Sequence, residues 1–234
     1  MIITIDGPAG AGKSTVAKRL AKQLTSVLFQ PFEYLDTGSM YRAAALLGLR
    51  NGVDWNEPAQ LETLAQTAKI EIDAGRTFLN GEDITDAVRT KEVTGKIRYA
   101  ADNPVIRRQM VELQRAVAKR YAEEGKGLVS EGRDQGTVVF PDTPFKFFVS
   151  ASPEERARRR LGEMAQRGET GDFDEVLKSI NERDYRDSVR EVAPLREPKD
   201  ARRIITDGMT IDEAVETIVQ SVSMTLTLRQ SVSR

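Results

Sequence analysis

The chain opens with Ile2-Ile3-Thr4-Ile5-Asp6, runs into Gly7-Pro8-Ala9-Gly10-Ala11-Gly12-Lys13-Ser14-Thr15, and continues with Val16, Ala17, Leu20, Ala21 and Leu24. The first run reads as a buried strand and the last as one apolar stripe on a helix. Between them, glycine lets the backbone wrap an anion with its N–H groups inward, and the helix N-terminus adds about half a positive charge. Strand, glycine loop and helix in this order form the phosphate-loop pattern, matched here at every constrained position. Lys13 is then the point charge for the outer phosphates, and the Ser14 hydroxyl is placed to ligate Mg2+. The segment predicts binding of a nucleoside triphosphate through Gly7, Pro8, Ala9, Gly10, Ala11, Gly12, Lys13, Ser14 and Thr15.

Further short apolar runs recur at Tyr34-Leu35, Leu128-Val129, Phe147-Phe148-Val149 and Ile204-Ile205. They do not alternate, as expected of parallel strands covered on both faces by helices. Near the end, Ile211, Ala214, Val215, Ile218 and Val219 form another stripe, started by Thr210 and Glu213 at capping-box spacing. The chain therefore reads as an α/β sandwich. Two half-buried strands, 69–73 and 77–79, joined across Ala74-Gly75-Arg76, mark an inserted lobe over roughly 60–100. Ser152-Pro153-Glu154-Glu155 starts a helix to about Arg167; a break at Gly168 to Gly171 follows, and a second helix spans about Asp174 to Val192. From Ser221 to Arg234 the stripe is lost, and a fraying tail is expected.

What the chain lacks narrows the chemistry. It contains no histidine and no cysteine, which excludes Ser-His-Asp and Cys-His nucleophiles, thiolate metal sites and disulfides. Lysine and arginine total 35 against 36 acidic residues, so no global field draws the protein to nucleic acid or anionic lipid. No nucleic-acid or membrane partner is expected. The front shows no cleavable leader and no run long enough to span a bilayer, which points to a cytoplasmic protein. No guanine-reading Asn-Lys-x-Asp occurs, and no acidic pair follows an apolar strand, so a GTPase switch and a motor ATPase both lose support.

Three more clusters carry chemistry. Asp36-Thr37-Gly38-Ser39-Met40-Tyr41-Arg42 follows the second strand, at the carboxyl end where open sheets bind ligands. Arg42 can grip a phosphate there, whereas Tyr41 is either ligand-facing or core. Gly132-Arg133-Asp134-Gln135-Gly136 follows the third strand and offers a bidentate donor beside an acceptor, or a plain ion pair in a turn. In the second late helix the stripe of Val176 and Ile180 continues onto Arg183, Asp187 and Arg190, so its inward face becomes charged. The preceding helix carries Arg156, Arg160 and Arg167 along one flank. Its arginines also have acidic partners at helical spacing, so surface pairing competes with a ligand role.

Together these segments resemble the bacterial cytidylate kinases, over nearly the whole chain. The shared stretches are Ile5 to Thr15, Leu35 to Arg42, Gly132 to Asp142, and Arg183-Asp184 with Arg186-Asp187-Ser188 and Arg190 ahead of Ala193-Pro194-Leu195. The resemblance implies a P-loop NTPase three-layer α/β sandwich with a five-stranded parallel sheet, an inserted monophosphate-binding lobe bearing a small β-hairpin, and a short helical lid. The core would take 1–36 and 101–220, the lobe 37–100, the lid 160–175, and the tail 221–234.

The implied activity is transfer of the γ-phosphoryl group of ATP to CMP or dCMP, with Mg2+ accompanying ATP, by a monomer. Lys13, Arg133 and Arg160 would be catalytic. Thr37, Tyr41, Arg42, Arg107, Arg133, Asp134, Arg183, Asp187 and Arg190 would bind the monophosphate. The chain departs from the family at Arg98, where a serine is usual, at Gln135, usually aliphatic, and at Ile205-Thr206-Asp207-Gly208, where Ile-Asp-Thr-Ser is common. A kinase for UMP or AMP, and a nucleotide-dependent binding protein without transfer activity, are the other readings. ADP release with a panel of monophosphates separates all three.

Overall fold

The computed structural model describes residues 1–232 of the chain. Five strands, β1 (Ile2–Asp6), β2 (Phe32–Asp36), β6 (Gly127–Gly132), β7 (Lys146–Ser150) and β8 (Arg202–Ile205), form one all-parallel sheet in the order β2-β6-β1-β7-β8. All five coincide with the unalternating runs. Ile3, Ile5, Leu35, Val129 and Val149 are fully buried, as strands covered on both faces require. A three-stranded antiparallel sheet joins β3 (Ile70–Asp73), β4 (Arg76–Leu79) and β5 (Glu82–Asp83). Its first hairpin turns through Ala74 and Gly75, both at positive φ, the mirror-image turn that suits the right-handed twist of the strands. The loop chemistry and the alternation thus agree on one register.

Eight α-helices are present among the described residues: α1 (Lys13–Leu28), α2 (Thr37–Arg50), α3 (Pro58–Thr67), α4 (Lys91–Ala101), α5 (Pro104–Glu123), α6 (Pro153–Gln166), α7 (Phe173–Val189) and α8 (Ile211–Val232). Their starts follow the sequence signals. Ser152 accepts the Glu155 N–H, and Thr210 and Glu213 cap each other reciprocally. Asp36, Thr90, Asn103 and Asp172 cap α2, α4, α5 and α7 in the same way. No described helix is long and apolar enough to cross a membrane.

Packing divides the chain into two units. One is Met1 with Glu33–Leu128, and the other is Ile2–Phe32 with Val129–Arg234. In the first, α5 packs on α2, α3 and α4, so residues 101–128, assigned to the core from the sequence, cluster with the lobe helices instead. The long amphipathic α5 buries Ile106, Met110 and Val117 there. In the second, α1 and α8 pack side by side, with Arg19 paired to Asp212 and Gln23 bonded to Glu216.

The tail is a correction. Val222 continues the stripe one turn beyond Ile218 and is fully buried, so α8 runs on to Val232 without fraying at Ser221. Positions 233–234 of the expected tail lie outside the described residues. After β6, Gln135–Val139 forms a wide helical turn that no sequence signal marked.

Candidate active site

The phosphate loop is built by three glycines at positive φ, Gly7 (147°), Gly10 (78°) and Gly12 (83°). At Gly7 the constraint is absolute, since a Cβ there would lie 1.9 Å from the Val149 carbonyl oxygen. The loop can leave β1 alongside β7 only with no side chain at that point. Gly12 is the N-cap of α1, so Lys13, Ser14 and Thr15 occupy the first helical turn, where backbone N–H groups point outward without intrahelical partners. Ser14 and Thr15 are exposed there, whereas Lys13 is only 6% exposed and donates its Nζ to the Pro8 carbonyl at 2.7 Å.

Electrostatics explains what that lysine is suited to hold. Burial pulls the Lys13 pKa down to about 7, and the guanidinium groups of Arg133 and Arg183 push the same way against the carboxylates of Glu131 and Asp6. A cation held among other cations in a dry site binds a polyanion strongly, because each phosphate charge offsets both burial and repulsion.

In the same unit, Arg133 reaches α7 and donates its Nε to Asp187 at 3.0 Å, with its side chain 20% exposed. Burial alone would raise the pKa of Asp187, but Arg133, Arg183 and Arg190 together hold it below the usual carboxylate range. Three guanidinium groups thus share one carboxylate, leaving a net positive cluster. Arg190 also donates to the carbonyls of Val192 and Ala193, which closes α7. Asp134 is buried beside Gln135, whose side-chain carbonyl accepts from Ser130 at 2.7 Å. The charged inward face expected of the second late helix is therefore present: α7 has no fully buried residue, and Arg183, Asp187 and Arg190 are half-buried.

In the other unit, Thr37 and Tyr41 lie buried in the first turns of α2. Arg107 is 3% exposed, stacks over the Tyr41 ring at 5.3 Å and donates to the Ala101 carbonyl at 2.7 Å. Arg42 faces Asp36 at 3.8 Å, and Arg89 approaches the same carboxylate at 4.0 Å. Arg89 drew no attention in the sequence, because only the pairing of its short helical turn with α2 brings it to Asp36. Arg98 is exposed, stacked on Tyr99 and bonded to its hydroxyl at 2.8 Å.

The break between the two late helices follows the sequence: α6 ends at Gln166, α7 begins at Phe173, and Gly168 between them has positive φ. Its arginines divide in an unexpected way. Arg160 is half exposed and paired with Glu163 at 3.2 Å. Arg156, 3% exposed, bonds Asp184 of α7 at 2.6 Å and donates to the Ala9 carbonyl of the phosphate loop at 3.1 Å. The signal was its place beside fully buried Ala157 on the inner face of α6. Arg159 donates to Thr206, and Asp207 accepts from the Ser152 amide, so the turn after β8 is tied to α6. A cavity of about 710 Å³ beside Pro8, walled by Phe148, Tyr185 and Leu195, explains why Ile205 on β8 is exposed.

The donor set bears on metal binding. No cluster of three acidic side chains able to hold a metal occurs among the described residues. The exposed Ser14 hydroxyl supplies a single oxygen, which suits a Mg2+ whose other ligands are phosphate oxygens and waters.

The sequence profile of the family described as Cytidylate kinase matches residues 3–224. A cytidylate kinase of Rhodopirellula baltica is 45% identical over 95% of this chain and 92% of its own length. One of Pelotomaculum thermopropionicum is 45% identical over 94% of this chain and 95% of its own. A bifunctional pantoate ligase/cytidylate kinase of Prochlorococcus marinus is 42% identical over 93% of this chain, which spans 42% of that protein.

Proposed function

This chain belongs to the cytidylate kinase family, and we propose that its residues divide the work between two nucleotides, ATP on the phosphate loop and CMP or dCMP on the arginine-bearing sets. The protein is a phosphotransferase that phosphorylates CMP and dCMP to the diphosphates at the expense of ATP. The observation that carries the division of labour is the field at Lys13. Arg133 and Arg183, from the acceptor set, act directly on the lysine of the donor loop. Two of the acceptor cations therefore stand near the donor lysine, which supports phosphate chains meeting there.

The donor phosphates bind the N–H groups of Gly7, Pro8-flanked Ala9, Gly10, Ala11 and Gly12, with Lys13 on the outer phosphates and Thr15 beside them. Ser14 would hold the Mg2+ that accompanies ATP, and the ion would supply further neutralisation of phosphate charge. The residues assigned to the monophosphate are Thr37, Tyr41, Arg42, Arg107, Arg133, Asp134, Arg183, Asp187 and Arg190. Asp187, kept ionised by its arginines, is a fixed acceptor for a hydroxyl group.

Transfer is direct and in line. An oxygen of the CMP phosphate forms the new bond to the γ-phosphorus as the bond to the bridging oxygen of ATP breaks, and ADP leaves. No general base is needed, because the attacking oxygen is already anionic at neutral pH, which fits a chain without histidine. Arg133, Arg183 and Arg190 offset repulsion between the two anions, while Lys13 and Arg160 follow the moving phosphoryl group. Closure of the α6–α7 segment excludes water and limits ATP hydrolysis. The absence of cysteine suits a reducing, cytoplasmic setting, and a monomer suffices since every assigned residue comes from one chain.

An ADP-release assay with ATP and a panel of monophosphates tests the reading. Turnover with CMP and dCMP well above UMP and AMP is expected; preference for another base, or ATP binding without turnover, would overturn it.

A further inference from the structure

Asp6 ends β1 and immediately precedes the glycine that opens the phosphate loop, and no role assigned above uses it. Its side chain is fully buried. One carboxylate oxygen accepts the Gln135 N–H at 2.9 Å, and the other accepts the Gly136 N–H at 2.7 Å. Those amides directly follow Arg133 and Asp134. The turn is also pressed close to β1, since a Cβ on Gly136 would come within 3.0 Å of Thr4 and Pro198.

Two adjacent N–H donors aimed at two different oxygens need a group with two acceptor oxygens, which among side chains of this size is a carboxyl group, strongest as an acceptor when ionised. An amide could serve only one of them. Burial, and to a lesser degree the neighbouring Asp134 carboxylate, oppose ionisation; the Gly136 and Gln135 amides and Lys13 favour it, and the balance raises the carboxyl pKa to about 7. A carboxyl kept at this buried position, bonded through both oxygens to consecutive amides, marks a geometric requirement.

We propose that Asp6 is a positioning residue which, through the Gln135 and Gly136 amides, fixes the Arg133–Asp134 turn relative to the start of the phosphate loop and so sets acceptor binding. The mechanism is rigid coupling: one residue ends at the donor loop and clamps the backbone that carries two acceptor ligands. The inference rests on the assignment of Arg133 and Asp134 to the monophosphate.

The test compares Asp6→Asn with Arg133→Ala in steady-state kinetics with both substrates varied. Asp6→Asn should raise KM for CMP about tenfold, as expected for loss of one charge-assisted bond, and leave KM for ATP within about twofold. A merely structural role would lower thermal stability and the active fraction while leaving both KM values unchanged, and that result overturns the proposal. Arg133→Ala separates the two ideas. If it raises KM for CMP while Asp6→Asn does not, the role of Asp6 fails alone; if it leaves KM for CMP unchanged, the acceptor assignment fails. Should Asp6→Asn not fold, NMR of the unaltered protein decides. The Gln135 and Gly136 amide protons should shift with the midpoint of the Asp6 carboxyl, and amides that stay fixed through that titration overturn the clamp.

Discussion

Replacing Gly7 with alanine probes the phosphate loop at its tightest point. The backbone there has φ of 147°, a region costing a side chain about 1–3 kcal/mol. The larger effect is steric. The new Cβ would meet the Val149 carbonyl at 1.9 Å, and the obstacle is backbone of a central strand, which has no rotamer to change. Loop and strand must separate by roughly 1 Å or more, a displacement that costs on the order of a hundredfold in rate when it misplaces reacting groups. Gly7→Ala should therefore lower kcat/KM at least about a hundredfold, with a fall in melting temperature of about 6–12 °C for some 3 kcal/mol of strain in a chain of this size. The control is Gly52→Ala, also at positive φ but with open space around it. It should cost about 1 kcal/mol of stability and leave kcat/KM unchanged. Coupled kinetics and calorimetry on both variants decide the matter. Gly7→Ala within about threefold of the parent rate would refute the argument that close approach to β7 shapes the loop.

Other expectations follow from the same geometry. Lys13→Ala should lose about a thousandfold or more in kcat, because Lys13 is the one basic residue in the loop sequence 7–15, and a near-normal rate would remove Lys13 from the mechanism. Arg156→Ala should destabilise the protein by about 2 kcal/mol or more, since it leaves Asp184 without its buried partner; Arg160→Ala, which breaks only an exposed pair, should shift stability by no more than about 0.5 kcal/mol while lowering kcat at least about tenfold. Equal melting temperatures for the two variants would contradict that division. The pH dependence of stability should carry the sign of a raised carboxyl. The pKa of Asp6 is raised from 3.8 to about 7, so its contribution is fully present below the lower value and is lost as pH rises toward the upper. Relative to the parent, Asp6→Asn should therefore gain melting temperature between about pH 4 and pH 7, and a difference independent of pH would refute the assigned burial cost.

Local signals were legible and distant ones were not. The phosphate loop, the Ala74-Gly75 hairpin, the Ser152 and Thr210 caps and the break at Gly168 all depend on a few neighbouring residues, and each stands where the sequence places it. The clustering of α5 with the lobe helices depends on which neighbours its apolar face meets, and its own periodicity carries no record of that choice. The flank of α6 shows the same limit. Arg156 and Arg160 are one helical turn apart on one flank, yet one is buried against Asp184 of another helix and the other faces solvent with Glu163 of its own. The wide turn at Gln135–Val139 escaped notice because what shapes it, the Asp6 carboxylate, lies about 130 residues away in sequence. Arg89 joined the Asp36 cluster for a similar reason.

A crystal structure with CMP and a non-hydrolysable ATP analogue is the most direct test. The triphosphate should lie on the amides of Gly7 through Ser14 with Lys13 on its outer phosphates, and the CMP phosphate should contact Arg133 with its terminal oxygen in line with the γ-phosphorus. Either nucleotide bound elsewhere, or a CMP phosphate remote from that phosphorus, would contradict the mechanism.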